Sequence, residues 1–298
     1  MGMKFSRQGF VMDQGDLLRR HQAVLFEMLK ELDRICRKHK IRYMLFAGTA
    51  LGAVRHQGFV PWDDDLDVIM LREDYERFLE IAPSELDESV YYLQKEFSEH
   101  WPLYFSKLRK NNTACMEKFY PKDAAMHQGV YIDVFPCDRL SENRFVAKMQ
   151  FYASKIVIAK ALTKRGYLTD SFKKKVFMFF CRLLPLRPFW RFAKREKDKK
   201  SKTVHSFFGA SSRYDRSTYP IAWLMETSDM TFCDAKFPVS AHYDALLTHL
   251  YGDYMTEPSE EERKVKVHAM LVDLENSYEK YLDWQKAQKI EVYGRSIR

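Results

Sequence analysis

Apolar residues recur at helical spacing through Leu18, Leu25, Leu29, Leu32 and Ile35, and the pattern predicts one amphipathic helix over residues 16–40. The period then changes. Residues 41–47 form an apolar, strand-like run that Gly48-Thr49 ends. Residues 50–54 suit a short helix, and Gly58 and Pro61 mark a loop. A second strand is predicted over 66–71, with Asp65 and Asp67 two apart and therefore on one face. Residues 72–82 read as a helix that Pro83 ends, and further strands are predicted at 90–93, 104–108 and 130–135. From about residue 141 the chain turns helical and basic to about 202, and from 240 onward it reads as mostly helical with a break at Pro258. The class this predicts is α+β. A mixed sheet with helices occupies 1–140, a basic helical insert 141–205, and a mostly helical part 206–298.

The 298 residues are 46% hydrophobic, enough for a sizeable core. The net charge of +8 points to an anionic partner: phosphate-bearing substrates, nucleic acid or an acidic membrane face. Five scattered cysteines without CxxC spacing argue against a disulfide framework and a zinc site, and reduced thiols in the cytosol are the simplest reading. Residues 1–16 carry no apolar run, so no secretory signal is expected; no stretch of about 18 apolar residues predicts a spanning helix.

Against that basic background stand Asp63, Asp64, Asp65 and Asp67 within five residues. Two like charges at 4 Å repel by about 4 kcal/mol near a protein surface, so a folded cluster of this kind calls for a cation among the carboxylates. Asp65 and Asp67, on one face, can grip the same ion. Asp133, in the apolar run Tyr131-Ile132-Asp133-Val134, can bring a third carboxylate on a neighbouring strand. Carboxylate oxygens suit Mg²⁺ or Mn²⁺. Gly48-Thr49, at a strand-to-helix turn, offers backbone N–H groups to a phosphate oxygen. The bland alternative is a solvated turn or a set of helix caps; the flanking apolar strands argue against it. Asp64 points the other way along the strand and is left out of the metal set.

The stretch from Phe46-Ala47-Gly48-Thr49 to Pro61-Trp62-Asp63-Asp64-Asp65-Leu66-Asp67-Val68 resembles the signature of the LicD/fukutin family. Tyr131-Ile132-Asp133-Val134-Phe135-Pro136 is similar to its third-acid strand, and Tyr251-Gly252-Asp253 followed by Pro258 to its C-terminal motif. The resemblance implies a nucleotidyltransferase-like fold and transfer of a substituted phosphate from a CDP-alcohol such as CDP-choline to a glycan hydroxyl of lipopolysaccharide, teichoic acid or capsule, releasing CMP. It implies Asp65 and Asp67 as metal ligands, Asp133 as third ligand or as base, and Asp63 as a further ligand or orienter. The eukaryotic members carry an N-terminal anchor; its absence here favours the bacterial branch.

Around the acids, Arg55 can bind the pyrophosphate and His56 can assist proton transfer; for both, a loop salt bridge to the aspartates is the alternative. Lys107 and Arg109 alternate on a strand and are expected to bind phosphate rather than solvent. Trp62 can stack on cytosine or anchor the strand. His268 reads as an ordinary surface or core histidine, and Asp253 as a structural residue. Residues 173–202 interleave twelve Lys and Arg with large apolar side chains, the composition of a helix lying on an anionic membrane; a core helix with a basic outer face is the alternative. No nucleic-acid module is recognisable. The expected setting is cytoplasmic, peripheral on the inner face of the plasma membrane. Two other functions fit the same residues: a nucleotidyltransferase releasing pyrophosphate, and a non-enzymatic membrane-surface scaffold.

Overall fold

The computed structural model describes residues 14–117, 125–166, 171–194, 200–206, 213–259 and 268–286. Helix α1 (Gln14–Lys38) leads into strand β1 (Met44–Leu45), helix α2 (Ala47–His56), strand β2 (Asp67–Leu71) and helix α3 (Arg72–Glu85). Strands β3 (Tyr91–Gln94), β4 (Ser106–Lys110), β5 (Ala114–Glu117) and β6 (Tyr131–Arg139) follow, then helices α4 (Arg144–Arg165), α5 (Phe172–Leu183) and α6 (Leu186–Ala193). The rest alternates: β7 (Thr203–Ser206), α7 (Tyr214–Ser217), β8 (Thr218–Pro220), α8 (Ala222–Met225), β9 (Thr227–Phe232), β10 (Ala235–Ser240), α9 (Tyr243–Tyr251) and β11 (Ala269–Asp273).

The main sheet runs β1-β2-β6-β4-β3, with β7 and β8 continuing from β6. β2 and β6 are parallel and the other pairs antiparallel, so the expected mixed α+β architecture is borne out. Both faces are covered, which is why β2 reads as an unbroken apolar run after Asp67. Val68 and Met70 pack with Leu29 of α1 and Phe78 of α3. Ile69 and Leu71, with Phe135 and Cys137 of β6, pack with Val157 and Ile158 of α4. Period-two alternation then assigns Asp67 and Asp133 to the α4 side, the parity of Ile69 and Phe135.

Several predicted boundaries move. The first strand shrinks to Met44–Leu45 because Phe46 already accepts the N–H groups of Thr49 and Ala50 and starts α2. Pro83 does not end α3: it sits in the last turn, and Leu86 N–H still closes on the Ala82 carbonyl at 3.0 Å. The C-terminal part, besides α9, contributes the β9–β10 hairpin and β11, which returns to pair with β5. That hairpin turns through Cys233 at φ 57°, without the Asn-Gly or Asp-Gly signal that would have announced it.

Beyond the C-terminal end of β2, Arg72 is fixed by charge. Its Nε and Nη2 donate to the two oxygens of Asp138 on β6 at 2.8 and 2.9 Å, and Nη1 donates to Glu96 at 2.9 Å. All three side chains are buried to about a tenth exposure or less. This bidentate clamp holds α3 against β6 while the other ends of the strands carry the acids. All five cysteines are free thiols, four of them buried. Among the described residues no helix is long and apolar enough to cross a membrane.

Candidate active site

β2 and β6 run in register, and Asp67 pairs directly with Asp133. On the other side of β6, antiparallel β4 sets Lys107 opposite Asp133. One row across three adjacent strands thus reads Asp67, Asp133, Lys107. Lys107 Nζ lies 3.0 Å from Asp133 Oδ1, an ion pair without hydrogen-bond alignment, and 3.5 Å from Glu117 Oε1. It also sits 3.2 Å from the centre of the Tyr131 ring. Glu117 in turn pairs with Arg165 of α4 at 2.5 Å.

The loop before β2 adds the other acids. Asp63 lies against the start of α2: a Cβ on Gly48 would come within 2.7 Å of its Oδ2. Gly48→Ala is therefore expected to push the Asp63 carboxylate aside without unfolding the chain, since a side-chain end can yield. We expect an activity loss of about ten-fold or more at unchanged Tm, comparable to about 1.4 kcal/mol of lost positioning. Asp65 Oδ2 faces His268 Nε2 at 3.3 Å. Thr49 accepts the Asp67 N–H on its Oγ1 at 2.8 Å, tying α2 to the start of β2.

These carboxyls raise one another. Asp67 is held well above the ordinary carboxylate range, first by burial, then by the charges of Asp65, Asp133 and Asp63. Burial also raises Asp65, against the pull of His268. Asp133 is pushed up to about 6 by burial, with Lys107 opposing. Lys107 is lowered by burial despite Asp133 and Glu117. Burial would raise Glu117 too, but Arg165, Lys107 and Arg109 outweigh it and hold the carboxyl low. Tyr251 keeps 43% of its surface exposed, yet its phenol is raised by burial and by the field of Asp67, Asp63 and Asp65.

Asp67 Oδ1 is buried and has no hydrogen-bond partner, although a lone carboxylate oxygen of that kind is costly to bury. No group of three or more His, Cys, Asp or Glu among the described residues is gathered as a ready metal cage. Mg²⁺ does not require one: it is usually held by one or two carboxylates together with substrate phosphates and water. Asp65 and Asp67 fit that pattern.

The other expected residues have partners of their own. Arg109 is 1% exposed, with Nε on Gln94 Oε1 at 2.7 Å and Nη1 on the Gly129 carbonyl at 2.8 Å. It supports the sheet and offers no charge to a phosphate in solvent. Lys107, equally buried, pairs with Asp133 and Glu117. The strand alternation was legible, but the bulk of Trp101, Phe105 and Tyr131 around both cations was not. Arg55 donates to His56 Nε2 at 2.9 Å and to the Tyr254 carbonyl at 2.8 Å. His56 is lowered by burial and by Arg55, and so stays neutral with that nitrogen engaged. Trp62 packs edge-on to His56, centroids 6.4 Å apart. Asp253 accepts from Thr256 Oγ1 in an exposed turn.

The histidine beside the acids is His268, which its sequence context did not distinguish. Its place depends on Asp64. That carboxylate accepts the His268 N–H at 2.9 Å and the Ala269 N–H at 2.8 Å, and its own carbonyl accepts from buried His21 Nε2 at 2.9 Å. Asp64→Ala would free two backbone donors and release β11 from the loop. We expect a stability loss of about 1–3 kcal/mol by urea unfolding, with activity falling alongside as His268 leaves Asp65. The acidic run at 260–262 lies outside the described residues.

A family model described as LicD/FKTN/FKRP, nucleotidyltransferase domain, matches residues 40–163, the segment that holds β1, α2, β2, β4 and β6. The chain carries a LicD-family domain. The lipopolysaccharide cholinephosphotransferase LicD of Haemophilus influenzae is 26% identical over 262 residues, covering 83% of this chain and 94% of that protein. Uncharacterized proteins of Rickettsia typhi and Rickettsia prowazekii are 44% and 42% identical over 59 residues, a fifth of this chain. The LicD domain thus contains Asp63, Asp65, Asp67, Lys107, Glu117 and Asp133, whereas Tyr251 and His268 come from the chain beyond it.

Proposed function

We propose that this protein is a metal-dependent phosphotransferase that moves phosphocholine, or a related alcohol phosphate, from a CDP-alcohol to a hydroxyl of a cell-surface glycan, with lipopolysaccharide the first candidate acceptor. The observation that carries the reading is the in-register pairing of Asp67 with Asp133, with Asp65 and Asp63 in the same field, inside a LicD-family domain. The relative spanning most of the chain bears the name of a lipopolysaccharide cholinephosphotransferase.

In this reading the acceptor oxygen bonds to the phosphorus that bears choline, the bond from that phosphorus to the pyrophosphate bridge oxygen breaks, and CMP leaves. Asp65 and Asp67 would hold Mg²⁺ or Mn²⁺, with Asp63 beside them; the ion supplies charge neutralisation for the phosphates. Asp133, raised to about 6, is suited to take the acceptor proton near neutral pH. Lys107 keeps that carboxylate oriented and balances its charge until the proton arrives. The first-turn N–H of α2 at Gly48 would offer a phosphate oxygen a donor, the Thr49 N–H being taken by the Phe46 carbonyl. An acceptor of this class is presented at a membrane, and a position on the inner face of the plasma membrane belongs to the proposal.

The test is incubation with CDP-choline, other CDP-alcohols and a lipopolysaccharide acceptor. CMP release that EDTA stops and Mg²⁺ or Mn²⁺ restores is the expected result. Release of pyrophosphate from a nucleoside triphosphate, with CDP-alcohols inert, would replace this reading with nucleotidyl transfer.

A further inference from the structure

We propose that α5 is a membrane-docking helix that seats the protein on an anionic bilayer through one exposed apolar stripe. Phe172, Val176, Phe179 and Leu183 follow at intervals of four, three and four residues and so share one side of the helix. Phe172 is 78% exposed and Leu183 69%. The opposite side is the one that packs: Cys181 is buried, and Lys160 of α4 donates to the carbonyls of Arg182 and Leu184. A soluble helix normally shows the reverse arrangement, with its apolar side inward and its polar side out.

The neighbouring helix makes the contrast sharp. Sequence composition alone treated 173–202 as one basic, aromatic segment, either lying on a membrane or packed as a core helix. In α6, however, Leu186, Phe189, Trp190 and Phe192 pack against the core cluster under α4, so that part follows the core-helix alternative. Residues 195–199 lie outside the described residues. Between residues 172 and 194 the exposed aromatic side chains are therefore those of α5, where Phe180 adds to the stripe.

Charge selects the occupant. Lys173 and Lys175 at the start of α5 and Arg182 near its end are exposed on the flanks of the apolar stripe, and α5 contains no acidic residue. Two copies of this chain stacked stripe to stripe would bring these cations together. A bilayer with anionic headgroups accepts the aromatic side chains into its interface and the ammonium and guanidinium groups at its phosphates. The inference extends the phosphotransferase reading but does not depend on it, because docking requires neither donor nor acceptor.

The test is co-sedimentation of the full chain with phosphatidylcholine vesicles, with and without phosphatidylglycerol. Binding is expected to be at least about ten-fold stronger to the anionic vesicles and to weaken with salt. The F179E/L183E variant should lose binding at unchanged Tm and unchanged turnover of soluble substrates, and K173E/K175E should lose the anionic preference. F172E serves as an independent variant should the double change disturb folding. Equal sedimentation of parent and F172E, absence of vesicle binding by the parent, or a dimer in light scattering that F172E dissociates would each overturn the proposal.

Discussion

Asp67→Asn is expected to lower phosphate transfer by roughly 10³-fold or more, the scale on which loss of a main electrostatic stabiliser acts, while making the protein in EDTA more resistant to heat. Both effects have one cause. Asp67 is buried among like charges with one oxygen unpartnered, so its ionised form is a liability to the fold without a bound cation. Asparagine keeps the shape, removes the charge, and can donate to a neighbouring carboxylate. The pH dependence has a definite sign. A carboxyl raised in the folded state binds its proton more tightly there than in the unfolded chain. Stability from this group is complete below its ordinary value of 3.8 and is lost as pH rises through the folded value. The gain in Tm from Asp67→Asn should thus be larger at mildly alkaline than at mildly acidic pH. CMP release and thermal unfolding in EDTA at two pH values measure both halves. A variant that retains full activity would remove Asp67 from the chemistry. A variant that loses Tm in EDTA would refute the charge argument.

Arg72→Met is expected to be the most destabilising single change outside the site, at about 3–5 kcal/mol, because it strands two buried carboxylates rather than removing a pair. Asp138 would lose its bidentate partner. Glu96, already raised to about 7 by burial with Arg72 opposing, would lose its counter-charge. Such a loss is a large share of a typical 5–15 kcal/mol stability. Urea unfolding should show the midpoint falling at unchanged slope. Arg72→Met combined with Asp138→Leu should recover part of the loss, since one stranded charge goes with it. A loss below about 1 kcal/mol would mean that water reaches Asp138 once the guanidinium is gone.

Much of the arrangement of the acids was legible from local pattern. The alternation at Asp65-Leu66-Asp67 and the apolar strand around Asp133 pointed to carboxylates on adjacent strands, and β2 and β6 pair with these two residues in register. Gly48 was singled out for its turn, and the close approach of Asp63 supplies a further reason for glycine there. What local pattern did not carry was the surroundings. Lys107 and Arg109 looked like phosphate ligands because alternation tells which side a residue faces, not whether that side meets solvent or Trp101 and Tyr131. Glu117 and Arg165 carried no signal, since their pairing spans β5 and α4. His268 gained its position from Asp64, more than two hundred residues earlier.

The sequence by itself determined the mixed α+β class, the strands that carry Asp67 and Asp133, and the resemblance to the LicD family, because strand period, turn glycines and a long motif are all local properties. Only the tertiary structure decided which cations neutralise those acids, which histidine stands beside them, and which of two adjacent aromatic helices stays exposed. Those outcomes depend on burial and long-range pairing. A charge or an aromatic ring has one meaning in water and another against a packed sheet, and no spacing along the chain distinguishes the two.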